Sequence, residues 1–171
     1  MAIEIRKPKI EEWELYKTLR LESLQNFPLA FATSYEESLS DVDEKWMNYI
    51  KSSLENKESI MLCAFSEDKI VGSVTVIWSN RIKTKHVAQL VGMFVSPEFQ
   101  RQGIGKKLVS EAIEELRKLS QFIKVKLDVV SENNKAIKLY ENAGFNKVGK
   151  LHKELFIDGK YYDLITMEMF I

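Results

Sequence analysis

Between Val95 and Leu108 the chain reads VSPEFQRQGIGKKL. A β-branched apolar run over residues 86–95 stops at Pro97, and Gly103 and Gly105 then open a stretch of helical periodicity. A strand that turns through glycines into a helix leaves the first backbone N–H groups of that helix without intrahelical acceptors. The helix dipole adds partial positive charge at the same end, and glycines let an anion come close to the main chain. The chemistry offered is the holding of a phosphate, although glycines at such a join also serve close packing. Two phosphate loops are excluded by spelling. The dinucleotide fingerprint G-x-G-x-x-G needs a third glycine where Leu108 stands, and no earlier glycine has the spacing of G-x-x-x-x-G-K-[ST]. What remains is Gln100-x-x-Gly103-x-Gly105.

A second segment, NNKAIKLYENAGF at 133–145, follows at a matching distance. Together the two segments resemble the GNAT superfamily of N-acetyltransferases, whose acetyl-CoA signature is Q/R-x-x-G-x-G/A with a downstream N-x-x-A-x-x-x-Y-x-x-x-G-F. The resemblance implies that the amides of Arg101, Gln102, Gly103, Ile104, Gly105 and Lys106 hold the CoA pyrophosphate, with Gln100 and Arg101 as further donors. It implies that main-chain groups of Met93, Phe94 and Val95 pair with the pantetheine arm as an added strand would, and that an amide of the same strand polarises the thioester carbonyl. It also implies cofactor contacts from Asn133 and Ala136. Asn133 is in addition a good helix cap by residue type.

Tyr140 is the expected general acid. A phenol of pKa about 10 is protonated at neutral pH and can give its proton to the CoA thiolate. By periodicity alone, Ala136, Ile137 and Tyr140 share a helix face, which is also how a core tyrosine would sit. An acceptor amine near pKa 10.4 must lose a proton before it attacks. Many members of the resembled family carry a glutamate on the strand that here contains Gln89. Glutamine cannot accept that proton, so an ordered water chain is expected there. His86 and His152 are the other titratable groups considered, His86 mainly as an exposed strand-end residue. Glu36 and Glu37 fall in the region that usually forms the acceptor side. Residues 36–44 carry five acids and no Lys or Arg, a patch that would attract a cationic amine, so Glu36 and Glu37 are expected as base or amine anchor.

The expected activity is transfer of an acetyl group from acetyl-CoA directly to a primary amine of a small molecule or peptide, in a ternary complex. The alternative is a non-catalytic CoA-binding sensor. A nucleotide-phosphate binder is a third reading. No metal site is expected, because the two histidines are far apart and Cys63 is the single cysteine. Cys63 lies mid-strand among apolar residues and reads as a buried, inert thiol. The 25 Lys and Arg balance 25 Asp and Glu, which argues against bulk binding to nucleic acid or acidic membranes. No apolar run approaches the roughly 20 residues that span a bilayer, and the N-terminus lacks a signal-peptide core. A cytoplasmic protein and a possible homodimer are expected.

The elements that position these residues can be read from periodicity. Residues 3–6, 60–65, 70–78, 86–95, 123–130, 145–156 and 161–170 read as strands, the last two joined through Asp158-Gly159. Helices are predicted over 10–24, over 42–56 with Asp41 and Glu44 as a capping box, from Gly103 to about Leu116, and from Asn133 to Gly144. Gly92 inside the fourth strand predicts a bulge or a close backbone approach, and in the resembled family a distortion there opens the cofactor cleft. The whole chain, 1–171, is expected to form one α/β domain: a mixed, mostly antiparallel central sheet of about seven strands flanked by about four helices.

Overall fold

In the computed structural model, which describes residues 2–171, seven strands form one sheet in the order β1-β2-β3-β4-β5-β7-β6. The strands are β1 (Ile3–Arg6), β2 (Ser59–Ser66), β3 (Lys69–Trp78), β4 (Val87–Val95), β5 (Lys124–Val130), β6 (Asn146–Ile157) and β7 (Lys160–Phe170). Every pair is antiparallel except β4 with β5. Among the described residues there are five α-helices: α1 (Trp13–Asn26), α2 (Tyr35–Leu39), α3 (Asp43–Leu54), α4 (Ile104–Lys118) and α5 (Asn134–Asn142).

β2 shows why the sheet is covered on both faces. Its run from Ile60 to Ser66 is buried throughout, and its side chains alternate between two cores. Ile60, Leu62 and Ala64 join the cluster under α4, whereas Met61, Cys63 and Phe65 join the cluster of Leu19 and Leu24 from α1 with Trp46 and Ile50 from α3. A strand with helices on both faces has no solvent side, so its pattern is continuous rather than alternating. On α4 the residues Ile104, Leu108, Val109, Ala112, Ile113 and Leu116 are all buried. Each large aliphatic among them stabilises the fold by roughly 1.5–3 kcal/mol. Cys63 is fully buried, and burial raises its thiol well above the usual range, which keeps it un-ionised and unreactive.

The structure corrects two local expectations. α3 begins after Val42 with no side-chain cap, and Asp41 instead accepts from Lys45 Nζ at 2.7 Å. The capping box lies earlier, at the start of α2, in a stretch whose sequence reads as loop. There Glu37 N donates to Ser34 Oγ at 3.1 Å, and Ser34 N donates to Glu37 Oε2 at 2.8 Å. The local signal S-x-x-E competes with D-x-x-E seven residues on, and Asp41 is drawn off by Lys45 one turn away. The β6–β7 turn is as predicted: Asp158 and Gly159 both have positive φ, 50° and 78°.

Candidate functional site

The sheet opens in its middle. β4 and β5 pair only from Val87 with Lys124 to Gln89 with Lys126. Beyond that point β4 keeps its bonds to β3 on one edge and leaves the other edge free of a strand. The parting coincides with a bulge at Gly92 (φ 62°), where the β3 register slips between Ser73 and Thr75. A bulge adds a residue to one strand and increases its local twist, which turns β4 away from β5. Leu90, Val91, Gly92 and Met93 then face Asp128, Val129 and Val130 of β5 across a small cavity of about 80 Å³. Asn133, Ala136 and Tyr140 complete its wall. An open strand edge beside a cleft can bond an extended, amide-bearing ligand arm.

At the C-terminal end of β4 stands the glycine turn. Arg101 and Gly103 both have positive φ, 62° and 79°, and Gly103 caps α4 without a side-chain bond. The first bond within α4 runs from Lys107 N to Gly103 O at 3.0 Å. The N–H groups of Ile104, Gly105 and Lys106 precede it and have no intrahelical acceptor. Two side chains tie the loop from within: Gln100 Nε2 donates to Val95 O at 3.0 Å, and Gln102 Nε2 donates to Glu98 O at 3.2 Å. Gln100 therefore braces the turn as it leaves β4. Phe94 packs against Phe27, with ring centroids 5.5 Å apart, so its side chain serves the core while Met93 lines the cleft.

Tyr140 is 7% exposed and stands edge-on to Phe145 at 5.9 Å; its carbonyl accepts from Ala143 N and Phe145 N, and its hydroxyl is left facing the cleft. Burial raises its pKa well above the usual phenol range, so it holds its proton at any physiological pH. Asn133 Oδ1 accepts from Ala136 N at 3.1 Å and so caps α5, which presents Ala136 and Tyr140 to the cleft. The structure therefore brings Met93, Asn133, Ala136 and Tyr140 together and sets the turn from Gln100 to Lys106 at the end of the same strand.

The acceptor side is arranged differently from the sequence expectation. A second cavity of about 780 Å³ lies between α1, α3, the 28–33 segment and the strands. Its wall includes Gln89 and Asp128, but neither Glu36 nor Glu37. Glu37 is occupied as the helix cap. His86 is exposed before β4, and His152 is exposed beside Asp163. Three acids line this cavity, Asp41, Glu58 and Asp128, and of these Asp128 also lines the small one. Its Oδ1 accepts from Thr166 Oγ1 at 2.6 Å, and its Oδ2 accepts from Gln89 Nε2 at 3.4 Å. Asp128 thus joins the two cavities at the parting of β4 and β5. Its only sequence signal is an outward acid between the buried Leu127 and Val129. The meeting with Gln89 depends on the parallel pairing of β4 with β5, which local pattern does not specify.

This geometry can be compared with known proteins. The profile of the acetyltransferase (GNAT) family matches residues 17–145, which covers the glycine turn, the parted strands and Tyr140. The chain belongs to that family. It is 31% identical over 133 residues to spermidine N(1)-acetyltransferase of Vibrio cholerae, covering 78% of this chain and 75% of that protein. It is 27% identical over 169 residues to the spermidine N(1)-acetyltransferase of Thermoplasma acidophilum, covering 94% and 99%. An acetyltransferase of the GNAT family from Streptococcus pneumoniae superposes with a TM-score of 0.88 at 24% identity, covering 99% of this chain and 100% of that one. This GNAT chain is an acetyltransferase.

Proposed function

We propose that this GNAT enzyme moves the acetyl group of acetyl-CoA directly to a primary amine, with both substrates bound at once. The observation that carries the proposal is the parting of β4 from β5 beside a buried, protonated Tyr140, with uncapped helix amides at the end of the same strand. The turn from Arg101 to Lys106 holds the pyrophosphate through main-chain N–H groups. The free edge of β4 from Leu90 to Val95 bonds the pantetheine amides and aims an N–H at the thioester oxygen.

Asp128 takes the proton of the incoming ammonium, directly or through one water, and leaves a neutral amine. The amine nitrogen forms the new C–N bond while the carbonyl electrons move onto an oxygen held by the strand amide. The nitrogen loses its second proton to solvent, collapse of that intermediate breaks the C–S bond, Tyr140 gives its proton to the departing thiolate, and Asp128 passes the first proton to solvent. The phenol is reprotonated from solvent. Cys63, fully buried in the core with α1 and α3 and in the wall of neither cavity, takes no part, so no acyl-enzyme forms.

Thiol release measured over a panel of amines tests this reading. Spermidine belongs in the panel because two relatives bear its name. Calorimetry should show acetyl-CoA binding, and at least one amine should release free CoA in step with N-acetyl product. Tight binding with no product from any amine would instead make this a CoA sensor.

A further inference from the structure

The large cavity contains two buried donors with nothing to donate to. Among the described side chains, the buried nitrogen and oxygen atoms without a partner are Arg20 Nη1 and Trp46 Nε1. Both residues line this one cavity, Arg20 from α1 and Trp46 from α3. Trp46 is 1% exposed. A buried N–H left without an acceptor costs about 1–3 kcal/mol, so two in one wall call for an explanation.

The other charges in the wall are accounted for. Lys45 pairs with Asp41 at 2.7 Å. Glu58 is exposed and accepts from Asn80 Nδ2 at 3.2 Å. Asp128 is held by the neutral donors Thr166 and Gln89. Arg20 has no acid beside it. Its guanidinium lies over the Phe31 ring at 4.3 Å, and the groups that act on its charge are the phenols of Tyr16 and Tyr49. It is the one cation of this wall with no counter-charge among the described residues.

We infer that Arg20 and Trp46 Nε1–H form the seat for a carboxylate on the acceptor, so that the acetylated amine is one that also carries an acid, as in an amino acid or short peptide. This rests on the amine-transfer reading above and narrows it. A carboxylate has acceptors only, which suits the two unpartnered donors of Arg20 and Trp46, and it supplies the charge that Arg20 lacks. The amine of the same molecule then reaches Asp128, the acid in the other part of this wall, where the cleft begins. A polyamine fits less well, since it brings no acceptor to Arg20 and places a like charge near it.

The test compares, on the wild-type enzyme, each of several α- and ω-amino acids and dipeptides with its C-terminal amide and its decarboxylated amine, spermidine included. The best acid should exceed its own amide in kcat/KM by at least about tenfold, the value of one charge-assisted bond. Arg20→Met should erase that preference mainly by raising the KM of the acid, and Arg20→Lys should restore part of it. Equal use of acid and amide, or a preference for spermidine, overturns the inference while leaving amine acetylation standing. A separate readout needs no turnover: N-acetyl-L-phenylalanine should raise the melting temperature more than N-acetyl-L-phenylalaninamide, and Arg20→Met should remove the difference. If no amine is acetylated yet that difference persists, the transfer reading falls and the carboxylate seat stands. If acid and amide protect equally, the seat falls.

Discussion

Removing one oxygen from Tyr140 separates chemistry from packing. The ring of Tyr140 is buried against Phe145, and its hydroxyl has no partner among the described residues. Tyr140→Phe keeps the ring contacts and deletes a hydroxyl that faces the cleft and has no side-chain partner among the described residues, so no structural bond is lost. The variant should therefore be no less stable than wild type. The effect on transfer runs the other way. A positioned general acid contributes about 10²–10⁴-fold, or about 3–5 kcal/mol of barrier. Thiol-release kinetics should show kcat reduced by that factor, while calorimetry with acetyl-CoA gives a Kd within about twofold of wild type. Acetyl donors that release a less basic thiolate should lose less. A kcat within threefold of wild type would show that the phenol does not protonate the leaving group. A melting temperature several degrees lower would show that the hydroxyl has a structural partner after all.

Three other outcomes follow from the same geometry. Asp128→Asn keeps a side chain that can bond Thr166 and Gln89 but cannot take a proton; kcat/KM near neutral pH should fall by about 10²-fold and recover in part as pH rises toward the pKa of the free amine, and a flat comparison across pH would exclude Asp128 as base. Gly103→Ala meets no atom within 4 Å, yet it must adopt φ 79°; the cost of about 1–2 kcal/mol should appear as a lower melting temperature, together with weaker acetyl-CoA binding, and an unchanged melt would refute the left-handed cap. Asp163 is lowered from the usual 3.8 to about 2, first by Lys150 Nζ and then by the Lys153 N–H. A depressed acid stabilises the fold above its unfolded pKa and loses that contribution as pH falls, so the gap in melting temperature between wild type and Asp163→Asn should narrow from about pH 4 down to pH 2.

The two halves of the site differ in how far the sequence discloses them, and the reason is physical. In the proposed reading the donor half works through main chain. A bulge at Gly92 and a helix start at Gly103 each depend on residues within a few positions of one another, and the open strand edge begins where that bulge turns β4 from β5. Local residue types therefore suffice to read Gln100 through Lys106, and Asn133 with Tyr140 follows on the next strand-to-helix unit. The acceptor half works through side chains from α1, α3, β4 and β5, which meet only once the sheet order is set. Arg20 reads in the sequence as one more cation on an amphipathic helix, and Asp128 as one more outward acid. Of the five acids that stand out as a run over residues 36–44, three are used locally: Glu37 caps α2, Asp41 holds Lys45, and Asp43 meets Lys17 at 2.8 Å. A charge that satisfies its own neighbourhood has nothing left to offer a ligand. Arg20 is left without a counter-charge and Asp128 is held only by neutral donors, which is why the two proposed charges become visible only when hydrogen bonds are counted in three dimensions. By the same reasoning, an exchange confined to α1 and α3 should change the acceptor without touching acetyl-CoA. Grafting those two helices from a spermidine-acetylating relative onto this chain should move the amine preference toward polyamines and leave the acetyl-CoA Kd unaltered, and a graft that changes the Kd but not the preference would locate specificity elsewhere.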